Sequence, residues 1–218
     1  MKNGGFGGFV TGGLIYFLKI YMYNPYDYYF KKAKKSGYKA RSVFKLEEID
    51  QKFNLFDKTI KKVLDIGCSP GSWIQYTWNK INNNLNYKII GFDLKEVSLN
   101  LENVFTYKQD ISDFDNVQKI LKESNIEKFD IIISDMAPDT TGIKDLDAIK
   151  SIALIEKTLP IYKKYLGYEG KFVIKIFMGP GFEEFLSDLK KIYGSKSIKT
   201  FKPKSTRKES KEIYIIKI

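Results

Sequence analysis

The chain has 218 residues, 43% of them apolar and 15% aromatic, the composition of one globular domain with a sizeable core. Its 37 basic residues against 26 acidic ones leave a net charge of +11, which favours a polyanionic partner such as nucleic acid or an anionic membrane surface. With no histidine and one cysteine, Cys68, it excludes Ser-His-Asp and Cys-His catalysis, histidine zinc sites, internal disulfides and multi-cysteine metal sites; any general base is Asp, Glu, Lys or Tyr.

Residues 1 to 21 combine repeated Gly-Gly pairs with the short apolar run Leu14 to Leu18. That run is too short, and the segment around it too glycine-rich, for a membrane span, which needs about 20 apolar residues. We expect a flexible or spurious extension over 1–21, with membrane tethering as the competing reading, and a single domain over 22–218. From Tyr28 to Leu46, Lys31, Lys32, Lys34, Lys35, Lys39, Arg41 and Lys45 are interleaved with Tyr28, Tyr29, Phe30, Tyr38 and Phe44, without an acid. Such a stretch suits phosphate contact and base stacking, or else forms a solvated helix face. The pattern becomes helical from Ser42 to about Phe53, with Val43, Leu46, Ile49 and Phe53 as a core stripe and Lys45 lying off it.

Val63, Leu64 and Ile66 read as a buried strand that ends in the loop Gly67-Cys68-Ser69-Pro70-Gly71, with a helix from about Ser72. Ligands of parallel sheets bind where strands end, and Gly67 and Gly71 lack the side chains that keep a ligand from the backbone. The loop lacks the third glycine of G-x-G-x-x-G and the lysine of G-x-x-x-x-G-K-[ST], so neither phosphate cradle fits. The next apolar run, Tyr87 to Phe92, ends in Asp93, a carboxylate placed to accept ribose hydroxyls. Together they fit an adenosine ligand without a pyrophosphate, such as S-adenosylmethionine; a nicotinamide or flavin site and a plain strand-turn-helix remain open.

A short strand at Val104 to Tyr107 ends near Asp110, a helix shows Val117, Ile120 and Leu121 on one face, and the run Phe129 to Ser134 ends in Asp135. A long helix from about Asp145 to Lys164 contains Pro160, a possible kink. Gly170 opens a strand Lys171 to Phe177, an amphipathic helix carries Phe182, Phe185, Leu186 and Leu189, and strands near Ser197 to Phe201 and Glu212 to Ile218 close the chain. Alternating strands and helices predict a parallel sheet covered on both faces, and the short final connection predicts that the last strand is antiparallel.

Lys175 stands inside an apolar strand, and a buried unpaired ammonium costs several kcal/mol. It must be paired, neutral or at the strand's functional end. Asp135 ends one strand and Glu212 opens another; if these ends meet the Lys45 helix, two lysines and two carboxylates share a cleft. A partly desolvated lysine beside a second cation has its pKa pushed down and becomes a usable base. A structural ion-pair network is the other reading.

Tyr-Lys-Ala-Arg-Ser-Val-Phe-Lys-Leu-Glu-Glu-Ile (38 to 49), Asp-Ile-Gly-Cys-Ser-Pro-Gly-Ser-Trp (65 to 73), Ser-Asp-Met-Ala-Pro (134 to 138), Lys-Phe-Val-Ile-Lys-Ile-Phe (171 to 177) and Ser-Lys-Glu-Ile-Tyr (210 to 214) resemble, in this order, the FtsJ family of RNA ribose 2'-O-methyltransferases. The likeness covers nearly all of residues 26 to 218. It implies an α/β, Rossmann-like methyltransferase fold: a mixed seven-stranded sheet, its last strand antiparallel, with helices on both faces. The family's Lys-Asp-Lys-Glu tetrad falls on Lys45, Asp135, Lys175 and Glu212, and its S-adenosyl-L-methionine contacts on Gly67, Gly71, Trp73, Asp93, Asp110 and Asp135. Lys175 would take or orient the proton of a ribose 2'-hydroxyl, and no metal is implied. Cys68-Ser69 stand where the family often has two alanines and Ser72 where many members have glycine.

Ser-Asp-Met-Ala-Pro is similar to the branch that modifies large-subunit ribosomal RNA, whereas the stretch after it has some flavour of the tRNA branch. The expected target is a uridine of the peptidyl-transferase A-loop, with tRNA methylation or a non-catalytic RNA-binding role in ribosome assembly as alternatives. A second basic stretch, Lys190 to Lys208, also lacks acids and would dock RNA. A cytoplasmic monomer without stable membrane association is expected.

Overall fold

The structure, a computed structural model, describes residues 25–218, so the reading of residues 1 to 21 lies outside the described residues. The strands are β1 (Lys62–Ile66), β2 (Lys88–Asp93), β3 (Val104–Lys108), β4 (Phe129–Ser134), β5 (Leu166–Phe177), β6 (Ile198–Phe201) and β7 (Glu212–Lys217). They form a seven-stranded sheet in the order β3-β2-β1-β4-β5-β7-β6. The first five are parallel, and β7 runs antiparallel to both β5 and β6. Among the described residues, the apolar runs of β1, β2 and β4 become strands buried on both faces of one sheet, while the edge strands β3 and β6 are only partly covered.

The helices are α1 (Pro25–Lys35), α2 (Val43–Phe53), α3 (Ser72–Ile81), α4 (Phe114–Glu123), α5 (Lys144–Tyr165) and α6 (Phe182–Tyr193). Strand side chains alternate between faces. Leu64, Ile66, Ile132, Phe172, Ile174 and Ile215 face α4, α5 and α6. Val63, Ile131, Ile133, Val173, Tyr214 and Ile216 face α1, α2 and α3. Fully burying each such aliphatic side chain contributes about 1.5–3 kcal/mol, which makes this double layer the main source of stability. Among the described residues no helix is long and apolar enough to cross a membrane.

One boundary differs from the sequence reading. Strand β5 begins at Leu166, not after Gly170, because its first residues pair with β4 across a register shift between Phe129 and Ile131. Helix α5 continues for 22 residues with Pro160 inside it. The basic stretch after Tyr28 supplies most of α1, whose lysines Lys32, Lys34 and Lys35 occupy its last turn, where cations suit the helix dipole.

Candidate active site

Strand order reverses between β1 and β4, and ligands of open α/β sheets bind at such a switch point. There the loop after β1 meets the segment after β4: a Cβ placed on Gly67 would stand 2.6 Å from Met136 Cγ. Gly67 and Gly71 have φ of 77° and 106°, a left-handed backbone that favours glycine. A Cβ on Gly71 would stand 2.7 Å from Leu99 Cδ1 and 3.2 Å from Val97 Cγ1. The space beside Gly71 is therefore taken by the chain's own side chains. Both glycines let neighbouring segments close around the crevice.

Asp93 ends β2 and turns back to this loop. Its Oδ2 accepts the Ser69 N–H at 2.8 Å and its Oδ1 the Lys95 N–H at 2.8 Å. A carboxylate offers about four lone-pair sites, so capacity remains for two hydroxyls. Asp110 follows β3, is exposed, and accepts the Ser112 N–H and hydroxyl on one oxygen. Trp73 is buried; its indole N–H donates to the Ser42 carbonyl at 2.9 Å and its ring lies 5.9 Å from that of Tyr214. Its side chain thus braces α3 against the turn before α2, and only its backbone lies at the mouth of the loop helix.

Register explains how the charged groups meet. Lys175 on β5 is opposite Tyr214 on β7, and Phe177 is opposite Glu212. Glu212 and Tyr214 share a face by alternation, the face covered by α2, which carries Lys45. Lys175 Nζ lies 3.0 Å from Asp135 Oδ1 and also donates to the Asp135 carbonyl. Lys45 Nζ lies 2.7 Å from Glu212 Oε1 and 2.9 Å from Oε2. The Tyr214 hydroxyl joins the two pairs, 2.8 Å from Asp135 Oδ1 and 3.0 Å from Glu212 Oε1. The four charged residues named from the sequence are thus brought together as two ion pairs bridged by a phenol.

Burial alone would raise the Asp135 pKa, but Lys175, Lys45 and the Tyr214 hydroxyl outweigh it and hold the carboxyl below the usual range. Tyr214 is pushed far up by burial and by the Asp135 and Glu212 carboxylates, so it stays a neutral donor. Reading the sequence alone missed Tyr214, although the period of two places it beside Glu212. Beyond Lys45 and Glu212 the cleft opens into a cavity of about 580 Å³ lined by Arg41, Ser42, Arg207, Glu209 and Ser210.

Asp65 bears on the cofactor. It is buried on β1, two residues before Gly67, and neither carboxylate oxygen has a hydrogen-bond partner among the described residues. Orphaned buried polar groups are rare and costly. Burial first, then the Asp135 and Asp93 carboxylates, raise its pKa well above the ordinary value. An unsatisfied carboxyl under the loop, Asp93 with spare lone pairs and Asp110 exposed at the next strand end suit a ligand with an ammonium group and ribose hydroxyls. These residues fit S-adenosylmethionine.

Residues 38–218 match the model of the FtsJ-like methyltransferase family. The chain is 44% identical over 195 residues to a ribosomal RNA large subunit methyltransferase E of Bdellovibrio bacteriovorus, covering 89% of this chain and 96% of that one. A protein of the same description from Pelagibacter ubique is 43% identical over 190 residues, covering 87% and 90%. Among solved structures, a candidate ribosomal RNA methyltransferase of Plasmodium falciparum is similar, with a TM-score of 0.73 and 32% identity over 83% of this chain and 97% of that one. Human methyltransferase-like protein 13, solved with SAH, shares the fold at a TM-score of 0.53 and 14% identity over 73% and 72% of the two chains.

Proposed function

Because the chain belongs to the FtsJ-like methyltransferase family, we propose that it methylates the 2'-hydroxyl of a ribose in RNA. The target on this reading is a uridine of large-subunit ribosomal RNA in the peptidyl-transferase A-loop. The observation that carries the proposal is the meeting of Lys175, Asp135, Glu212 and Lys45 at the carboxyl ends of the strands, beside the switch-point loop. The relatives described as ribosomal RNA large subunit methyltransferases support the choice of substrate.

The backbone of the Gly67–Gly71 loop and of Trp73, with Asp93, Asp110 and Asp135, would hold S-adenosylmethionine, which when bound would supply an electrophilic methyl group. The protein's own task is to hold a weakly acidic hydroxyl in place and manage its proton. Lys175 takes or orients that proton; Asp135 fixes the amine through its carboxylate and its carbonyl. Tyr214 holds Asp135 in turn, and Lys45, anchored by Glu212, sets the charge at the cleft mouth and meets the RNA backbone. Fixing the reacting atoms about 3 Å apart accounts for much of the acceleration in such a transfer.

Mapping of 2'-O-methyl groups in RNA from cells lacking the protein tests the proposal. Loss of one large-subunit uridine mark is expected. Marks lost only from tRNA, or from no RNA, would overturn the assignment.

A further inference from the structure

The ten residues between β6 and β7, 202 to 211, form no helix or strand, yet they carry Arg207 and Ser210 along the wall of the cavity next to Lys45 and Glu212. A segment without regular structure is placed only by what its backbone is tied to. Nearer β7 the Thr206 hydroxyl donates to Glu212 Oε1 at 3.4 Å and the Met178 N–H to the Lys211 carbonyl at 2.9 Å; at the middle of the segment the tie is Glu48. Its Oε2 accepts the Lys204 N–H at 2.5 Å and its Oε1 accepts the Ser205 N–H at 2.9 Å, so one carboxylate grips two consecutive amides. Arg41 Nη2 donates to the Ser205 carbonyl at 2.7 Å and closes the grip from the other side. Ser205 and Thr206 are consequently buried, while Arg207 and Lys208 are left exposed.

Glu48 lies one helical turn beyond Lys45 on α2, on the same side of the helix. One turn pairs with Glu212 at the start of β7, and the next turn holds the segment leading to it. We infer that Glu48 is a positioning residue for RNA: by clamping the 204–205 backbone it fixes Arg207 and Ser210 relative to the Lys45–Glu212 pair. The inference rests on RNA being the substrate. Bonds from backbone amides to a charged carboxylate are among the stronger ones, and glutamine presents an NH2 group to one of two N–H donors.

The test measures binding of a fluorescein-labelled RNA hairpin by anisotropy, and methyl transfer to large-subunit RNA, for the wild type, Glu48→Gln, Arg207→Ala and the double variant. Glu48→Gln should weaken hairpin binding and raise the KM for RNA about tenfold. Its affinity for S-adenosylmethionine and its kcat at saturating RNA should stay within about twofold of the wild type, a split that a general loss of structure does not produce. In the Arg207→Ala background the Glu48→Gln effect should shrink, because both act through one contact. Glu47→Gln, whose partner is Lys32 at 3.9 Å, should behave as the wild type. If Glu48→Gln does not fold, Glu48→Asp, one methylene too short to reach both amides, is judged by the same criteria. Unchanged RNA binding, or effects of Glu48→Gln and Arg207→Ala that simply add, overturn the inference. Weakened hairpin binding by a protein that methylates no RNA would leave the clamp standing and remove the proposed reaction instead.

Discussion

The Tyr214 hydroxyl donates to Asp135 across 2.8 Å while its oxygen stands 3.0 Å from a second acceptor, Glu212. A phenol has one proton to give, so it serves one carboxylate at a time and couples two ion pairs that otherwise share no atom. The site is a chain, Lys45–Glu212–Tyr214–Asp135–Lys175, in which the orientation of each group depends on its neighbours.

Removing that hydroxyl takes one donor from the carboxylate it serves and uncouples the two pairs, while Asp135 keeps Lys175 and Glu212 keeps Lys45 and Thr206. Tyr214→Phe should lower the free energy of unfolding by about 1–3 kcal/mol in urea titrations. Methyl transfer should fall about tenfold, with S-adenosylmethionine affinity retained.

The Lys45–Glu212 pair gives a stability signature of its own. Both side chains are largely buried, at 14% and 10% exposure. Breaking such a pair strands a charge, whereas removing both partners does not. Lys45→Met should therefore cost about 2 kcal/mol or more, and Lys45→Met combined with Glu212→Gln should cost less than the two single changes summed. Denaturant unfolding of the four proteins checks this.

Cofactor affinity should depend on Asp93. Asp93→Ala removes the carboxylate that accepts the Ser69 N–H and is proposed to accept ribose hydroxyls. Calorimetric titration should show the Kd for S-adenosylmethionine raised about a hundredfold, from the loss of two bonds to a charged acceptor, while RNA binding is unaltered.

Much of this arrangement was legible in the sequence, from periodicity and from the resemblance to the FtsJ family. Lys175 breaks an apolar strand, Asp135 and Glu212 sit at strand ends, and short connections fix which strands are neighbours. Alternation also reveals Tyr214 once Glu212 is suspected. Glu48 carried no such signal: its partners Lys204 and Ser205 are 156 and 157 residues away, and they use backbone amides that every residue has. The same limit hid the packing of Leu99 against Gly71 and the early start of β5. Gly170 read as the opening of the strand, and only the pairing with β4 extends that strand back to Leu166.

Asp65 yields a pH dependence with a definite sign. Its carboxyl is raised in the folded protein, from an unfolded value of about 3.9. Between those two values folding takes up a proton, so its contribution makes the protein less stable as pH rises. Asparagine has no proton to take up. The stability of Asp65→Asn relative to the wild type should accordingly improve from pH 4 to pH 7 in ligand-free protein, as read by denaturant unfolding at each pH. A difference independent of pH would mean that Asp65 is ionised in the folded state.

The central claim is that the Lys175 amine manages the proton of a ribose hydroxyl. Its most direct test is the transfer of labelled methyl groups from S-adenosylmethionine to large-subunit ribosomal RNA by wild type and Lys175→Ala, with the product mapped and cofactor binding measured alongside. The account predicts a 2'-O-methyl mark on one uridine for the wild type, and for Lys175→Ala a rate lower by about 10²–10⁴ with the cofactor still bound. A variant that transfers methyl groups at the wild-type rate, or a wild-type product methylated on a base, would contradict it.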